Sequence, residues 1–91
     1  MNTIWSDQNV ARDVTTAAVA YNEWYALDTQ LNSFVVNQAP EALKSEARGA
    51  ESEFRYRLKH VIDTLECSES LARYIVTERA ASLRSVGVVA R

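Results

Sequence analysis

The chain has 91 residues, with ten Lys and Arg, twelve Asp and Glu, one His and a formal net charge of −2 at pH 7. That length bounds it to one small domain, residues 1–91, with less of its surface buried than in a larger domain. A composition 47% hydrophobic and 24% charged, with two Gly and one Pro, excludes a linker, a disordered tail and a hairpin-rich β architecture. The single cysteine, Cys67, excludes an internal disulfide and fits a reducing compartment. Met1 to Asp7 carry neither the basic start nor the apolar core of a signal peptide. No apolar run approaches the roughly 20 residues that cross a bilayer. The expectation is a cytoplasmic protein that does not meet a membrane.

Charge is unevenly placed. Residues 1–43 hold five acids against Arg12 alone, and residues 44–91 hold nine bases against seven acids. Complementary halves suit an antiparallel hairpin and equally suit head-to-tail pairing of two copies.

In chain order, Ser6 and Asp7 can cap a first helix, expected over about 7–36. Its seam is a ladder of Val10, Val14, Ala17, Tyr21, Trp24, Leu31 and Val35, with Asp28 at the rung that should also be apolar. A buried carboxylate there needs a partner. Alternatively the helix breaks at Asp28-Thr29-Gln30, which would give four helices in all. A second apolar line, Ala20, Leu27, Leu31 and Phe34, implies that helix one faces two neighbours.

Pro40 stops one helix and fits the first turn of the next, expected over about 40–66 with the seam Leu43, Ala47, Ala50, Phe54, Leu58, Val61 and Leu65. Gly49 lies off that seam and weakens the helix by about 1 kcal/mol relative to Ala. Ser68 is a plausible cap for a third helix, about 69–86. Gly87 can end that helix with Val88 folded back on Leu83. The apolar arc of helix three is Leu71, Ile75, Val86, Ala72, Leu83 and Val76, with Arg79 near its middle.

The fold expectation is therefore all-α, a long antiparallel helical hairpin with a shorter third helix, and dimerisation through helix one. Asp28 and Arg79 are candidates for a buried charge pair, within one chain or across a dimer, that would set register more than stability. The bland account is that Arg79 snorkels to solvent and Asp28 lies at a helix break.

Among the constellations with chemistry, Lys44, Arg48, Arg55 and Lys59 form a basic stripe along helix two, with Arg57 nearby. It could track phosphates or an acidic protein groove, although Glu51 and Glu66 dilute it. Helices two and three can also be read as a helix-turn-helix, against the acidic overall charge and the length of helix two. His60, Asp63 and Cys67 have helical spacing for a metal, with no further His or Cys to complete a set. The single His and single Cys are a heptad apart, too far for Cys-His catalysis within one chain, and no phosphate loop or metalloprotease motif occurs. No enzyme activity, cofactor or metal is expected. Tyr25 and Tyr56 fall outside the main seams and, with Tyr74 and Trp5, are candidates for a contact surface.

These readings converge on a protein-binding module, an adaptor, regulator or inhibitor that docks on a larger protein. Acidic helical chains of this size are common among bacterial and phage-encoded regulators, an analogy of size and class. A nucleic-acid-binding regulator using the basic stripe or helix three is the alternative, and a self-assembling structural subunit is a third.

Overall fold

The computed structural model describes residues 8–35 and 38–86. Three helices pack against one another: α1 over Gln8–Asn32, α2 over Glu41–Leu65 and α3 over Glu69–Ser85. Asp13 meets Thr64 at one end of the α1–α2 pair, and Tyr21 and Trp24 meet Phe54 further along, so the two helices run antiparallel. Arg79 reaches Thr15, and Arg84 reaches Asn22 and Tyr25, so α3 runs parallel to α1. The result is an all-α three-helix bundle measuring 51 × 26 × 17 Å.

The α1–α2 hairpin forms because both helices carry near-heptad apolar seams. Val14 and Ala17 of α1 and Ala47, Phe54, Leu58 and Val61 of α2 are buried. Phe54, 1% exposed, lies at the centre of an aromatic cluster, stacked on Trp24 at 5.6 Å and edge-on to Tyr21 at 5.2 Å. Burying a ring of this size contributes about 1.5–3 kcal/mol. The same cluster sets the level at which the two helices pair.

Helix ends follow from local chemistry, with one shortfall against expectation. α1 passes through Asp28-Thr29-Gln30 unbroken, Thr29 Oγ1 donating to the Tyr25 carbonyl at 2.9 Å, so the fourth helix is not formed. It stops at Asn32 rather than near Val36. There the Ser33 and Phe34 amides turn back to Gln30 and Leu31 at 3.1 Å each, and Ser33 Oγ donates to the Gln30 carbonyl at 2.6 Å. Pro40 stands at the N-cap of α2, and its carbonyl accepts from the Lys44 amide at 3.1 Å. Glu66 ends α2 in the left-handed conformation, φ 52°, and Ser68 caps α3 by accepting from the Leu71 amide at 3.2 Å. The expected caps at Ser6 and Asp7, the Gly87–Val88 helix ending and Trp5 lie outside the described residues.

α1 does face two neighbours, but its second face differs from the expected line. The residues turned to α3 are Thr15, Ala18, Asn22 and Tyr25, alternating three and four apart, while Leu27 and Leu31 are half-buried and Phe34 is exposed. Small side chains let α3 approach closely. On α3 the buried positions are Ala72, Val76, Ala80 and Leu83. Leu71, 49% exposed, and Val86, 69% exposed, fall outside the core because packing on Ala80 rotates the arc away from them.

Candidate functional site

The expected Asp28–Arg79 pair does not form within the chain. Asp28 is exposed, and its carboxylate accepts from Asn32 Nδ2 at 3.5 Å. Half-buried Arg79 donates to Thr15 Oγ1 at 3.4 Å. The reason is the register of α3. Arg79 lies beside Thr15, thirteen residues before Asp28 and roughly 20 Å away along α1 at 1.5 Å per residue, and the last turn of α3 lies against Asn22 and Tyr25.

The polar contact that does tie α1 to α3 uses Asn22, the buried polar side chain of α1, 4% exposed. Its amide accepts from an Arg84 guanidinium nitrogen and donates to the Ala80 carbonyl at 3.2 Å. The Arg84 guanidinium also lies over the Tyr25 ring, 4.8 Å from its centroid. Tyr25 is thus half of a cation–π contact and only partly a free surface. Hydrophobicity alone could not single out Asn22. The signal was its place four residues after Ala18 and seven after Thr15.

The remaining aromatic candidates do not share a surface. Tyr56 stands edge-on to His60 at 4.8 Å, with Arg57 over its ring at 5.4 Å. Tyr74 projects from the outer side of α3, 62% exposed. One contact surface does not hold Tyr25, Tyr56 and Tyr74 together.

The basic stripe fares differently. Lys44, Arg48, Arg55 and Lys59 occupy the flank of α2 turned to α3, Lys44 half-buried and the others exposed. Arg55 and Lys59 frame one wall of an open groove of about 300 Å³ between α2 and α3, and Arg73 of α3, with Glu69, frames the other. Its apolar floor is half-buried Ile62 beside Leu58, which is 3% exposed and belongs to the core. Arg55 is bridged to Glu51 at 2.8 Å, and Arg73 to Glu69 at 3.3 Å. Lys59 has no ion-pair partner among the described residues. Arg73 also lies 5.7 Å from the Phe54 ring centroid, which holds its guanidinium beside the floor.

A second cleft, of about 260 Å³, lies on the opposite flank and is lined by Arg12, Asp13, Thr16, Arg57 and His60. Its charges are already answered. Asp13 is in the cleft and accepts from Thr64 Oγ1 at 3.1 Å, and Arg57 is bridged to Glu53 at 2.6 Å. His60 lies on this exposed side, whereas Cys67 packs against the core. Among the described residues no group of three or more His, Cys, Asp or Glu side chains is placed to hold a metal ion.

No described helix is long and apolar enough to cross a membrane. Comparison with protein-family models, with curated proteins and with solved structures finds no match to this chain.

Proposed function

We propose that this chain is a non-enzymatic protein-binding module, a small cytoplasmic adaptor, regulator or inhibitor that acts by docking on a larger protein. The observation that supports the reading is the α2–α3 groove, with an apolar floor of Leu58 and Ile62 between walls that carry Arg55, Lys59 and Arg73. Charges on the edge of such a surface select the partner and speed the encounter.

The test is affinity capture from nuclease-treated host lysate with the wild-type chain, Lys59→Glu and Tyr74→Ala. A stoichiometric protein that is kept at moderate salt by the wild type and lost with either variant supports the reading. Recovery of the chain alone overturns it, and the mass from light scattering then decides between a self-assembling subunit and a monomer to be assayed for nucleic-acid binding.

The second reading, a nucleic-acid-binding regulator, is favoured by Lys44, Arg48, Arg55 and Lys59 sharing one flank of α2. Phosphate contacts predict affinity that falls steeply with salt, and an interface centred on apolar contacts does not.

A further inference from the structure

We propose that two copies of this chain exchange α3, each third helix leaving its own bundle and taking the same seat in the other. In the monomer α3 is joined to α2 by three residues, Glu66, Cys67 and Ser68. A second copy offers an identical helix, so every contact of α3, Asn22 with Arg84 and with the Ala80 carbonyl included, is remade between chains and cancels from the balance. What differs between the two forms is the connection.

In the monomer that connection is a strained turn. Glu66 holds φ 52°, the one positive φ of a non-Gly residue among the described residues, in a conformation that a Cβ disfavours. The Glu66 and Cys67 amides both turn on the Ile62 carbonyl, the second at 3.4 Å. Glu-Cys-Ser contains neither Gly nor Pro, so nothing in it stops a helix that runs from α2 into α3. Opening gives up the Ser68 cap on the Leu71 amide, and a continuous helix supplies that amide with the Cys67 carbonyl instead. Short connections under strain favour such an exchange.

The apolar pattern carries across the turn as well. Phe54, Leu58, Val61 and Leu65 of α2 are followed by Ala72, Val76, Ala80 and Leu83 of α3. Leu65 and Ala72 are seven residues apart, two helical turns, so in a continuous helix both seams lie on one stripe. Straightened, residues 41–85 form one helix roughly 68 Å long at 1.5 Å per residue. Two such helices, antiparallel about a two-fold axis at the connection, set each α3 against the α1 and α2 of the other copy. The α2–α3 groove is rebuilt in the process, with Arg55 and Lys59 from one copy and Arg73 from the other. The exchange therefore goes beyond the docking reading and does not depend on it.

The experiment is light scattering behind size exclusion at rising protein concentration, after equilibration through mild urea so that α3 opens. The wild type is expected to form a dimer. Glu66→Gly relaxes the left-handed turn of the monomer and weakens the continuous helix, at both connections, so its dimer is expected to be at least about tenfold weaker. Gly49→Ala, inside α2 where both forms are helical, is expected to leave the dimer constant unchanged. Exchange is told from side-by-side pairing by fluorophores on Ser45→Cys and Ser85→Cys, both exposed, in a Cys67→Ser background and diluted into excess unlabelled chain. In the monomer α3 folds back along α2 and energy transfer is high. In the exchanged dimer the labels are about 60 Å apart along one helix, and transfer falls. A monomer at every concentration, a dimer whose labels stay close, or a dimer that Glu66→Gly leaves unchanged overturns the proposal.

Discussion

Asn22 on α1 and Arg84 on α3 are joined side chain to side chain, and the same Asn22 amide donates to the Ala80 carbonyl at 3.2 Å. One buried amide therefore fixes both the spacing and the register of α3 against α1, in a contact whose other members are mostly Ala and Thr. Fully satisfied, such a group specifies an arrangement; half satisfied, it penalises it.

Replacing Asn22 with Ala leaves the Arg84 guanidinium without its acceptor in a part-buried site. The expected loss is about 1–3 kcal/mol by urea denaturation. For a domain of this size that is a fall of about 4–8 °C in Tm per kcal/mol. A double-mutant cycle with Arg84→Met should return a coupling of about 0.5–3 kcal/mol, and additive losses would show that the contact carries no energy.

Asp28→Ala should change stability by no more than about 0.5 kcal/mol, because the carboxylate faces solvent beyond the end of α3. A charge buried against a partner would cost about 3–5 kcal/mol on losing that partner. Thermal denaturation at two protein concentrations checks this. A large loss that depends on concentration would place Asp28 in an interface between copies.

Phe54→Ala empties the centre of the Tyr21–Trp24–Phe54 cluster and removes the ring beneath Arg73. The expected cost is about 3–5 kcal/mol, a large share of what a small domain has. Chemical denaturation should give a midpoint shifted far toward zero denaturant or no folded baseline at all. Phe54→Leu should lose less and remain folded.

Two positions carry the wrong residue for their backbone. Gly49 lies within α2, and a Cβ there meets nothing within 4 Å, so Gly49→Ala should stabilise by about 0.5–1 kcal/mol. Glu66 holds the left-handed end of α2 at φ 52°, where Gly avoids a steric cost of about 1 kcal/mol, so Glu66→Gly should also stabilise. Calorimetry on the two single variants and the double would read both gains, which should add.

Ser68 Oγ satisfies the Leu71 amide at the start of α3. Ser68→Ala should cost about 1 kcal/mol, and Ser68→Asp should restore it, because a carboxylate caps the same amide and favours the positive end of the helix. Guanidinium melts of the three proteins decide it.

The amino-acid sequence by itself determined the number and type of elements, because helical periodicity, Pro40 and Ser68 are local signals that act within a few residues. The α2 seam of Ala47, Phe54, Leu58 and Val61 and the basic flank of Lys44, Arg48, Arg55 and Lys59 were legible for the same reason: a helix of fixed pitch maps spacing onto a face. Only the tertiary structure decided the register of α3 against α1, which sets Arg79 beside Thr15 and far from an exposed Asp28. It also decided that α1 meets α3 through Thr15, Ala18 and Asn22, a face that no hydrophobic pattern marks because close approach favours small side chains and a satisfied amide over bulk. The groove follows the same division. Its basic wall and its floor of Leu58 and Ile62 lie on one helix, whereas Arg73 meets them only when α3 folds back across the turn at Glu66–Ser68, and contacts between segments distant in sequence leave no period to read.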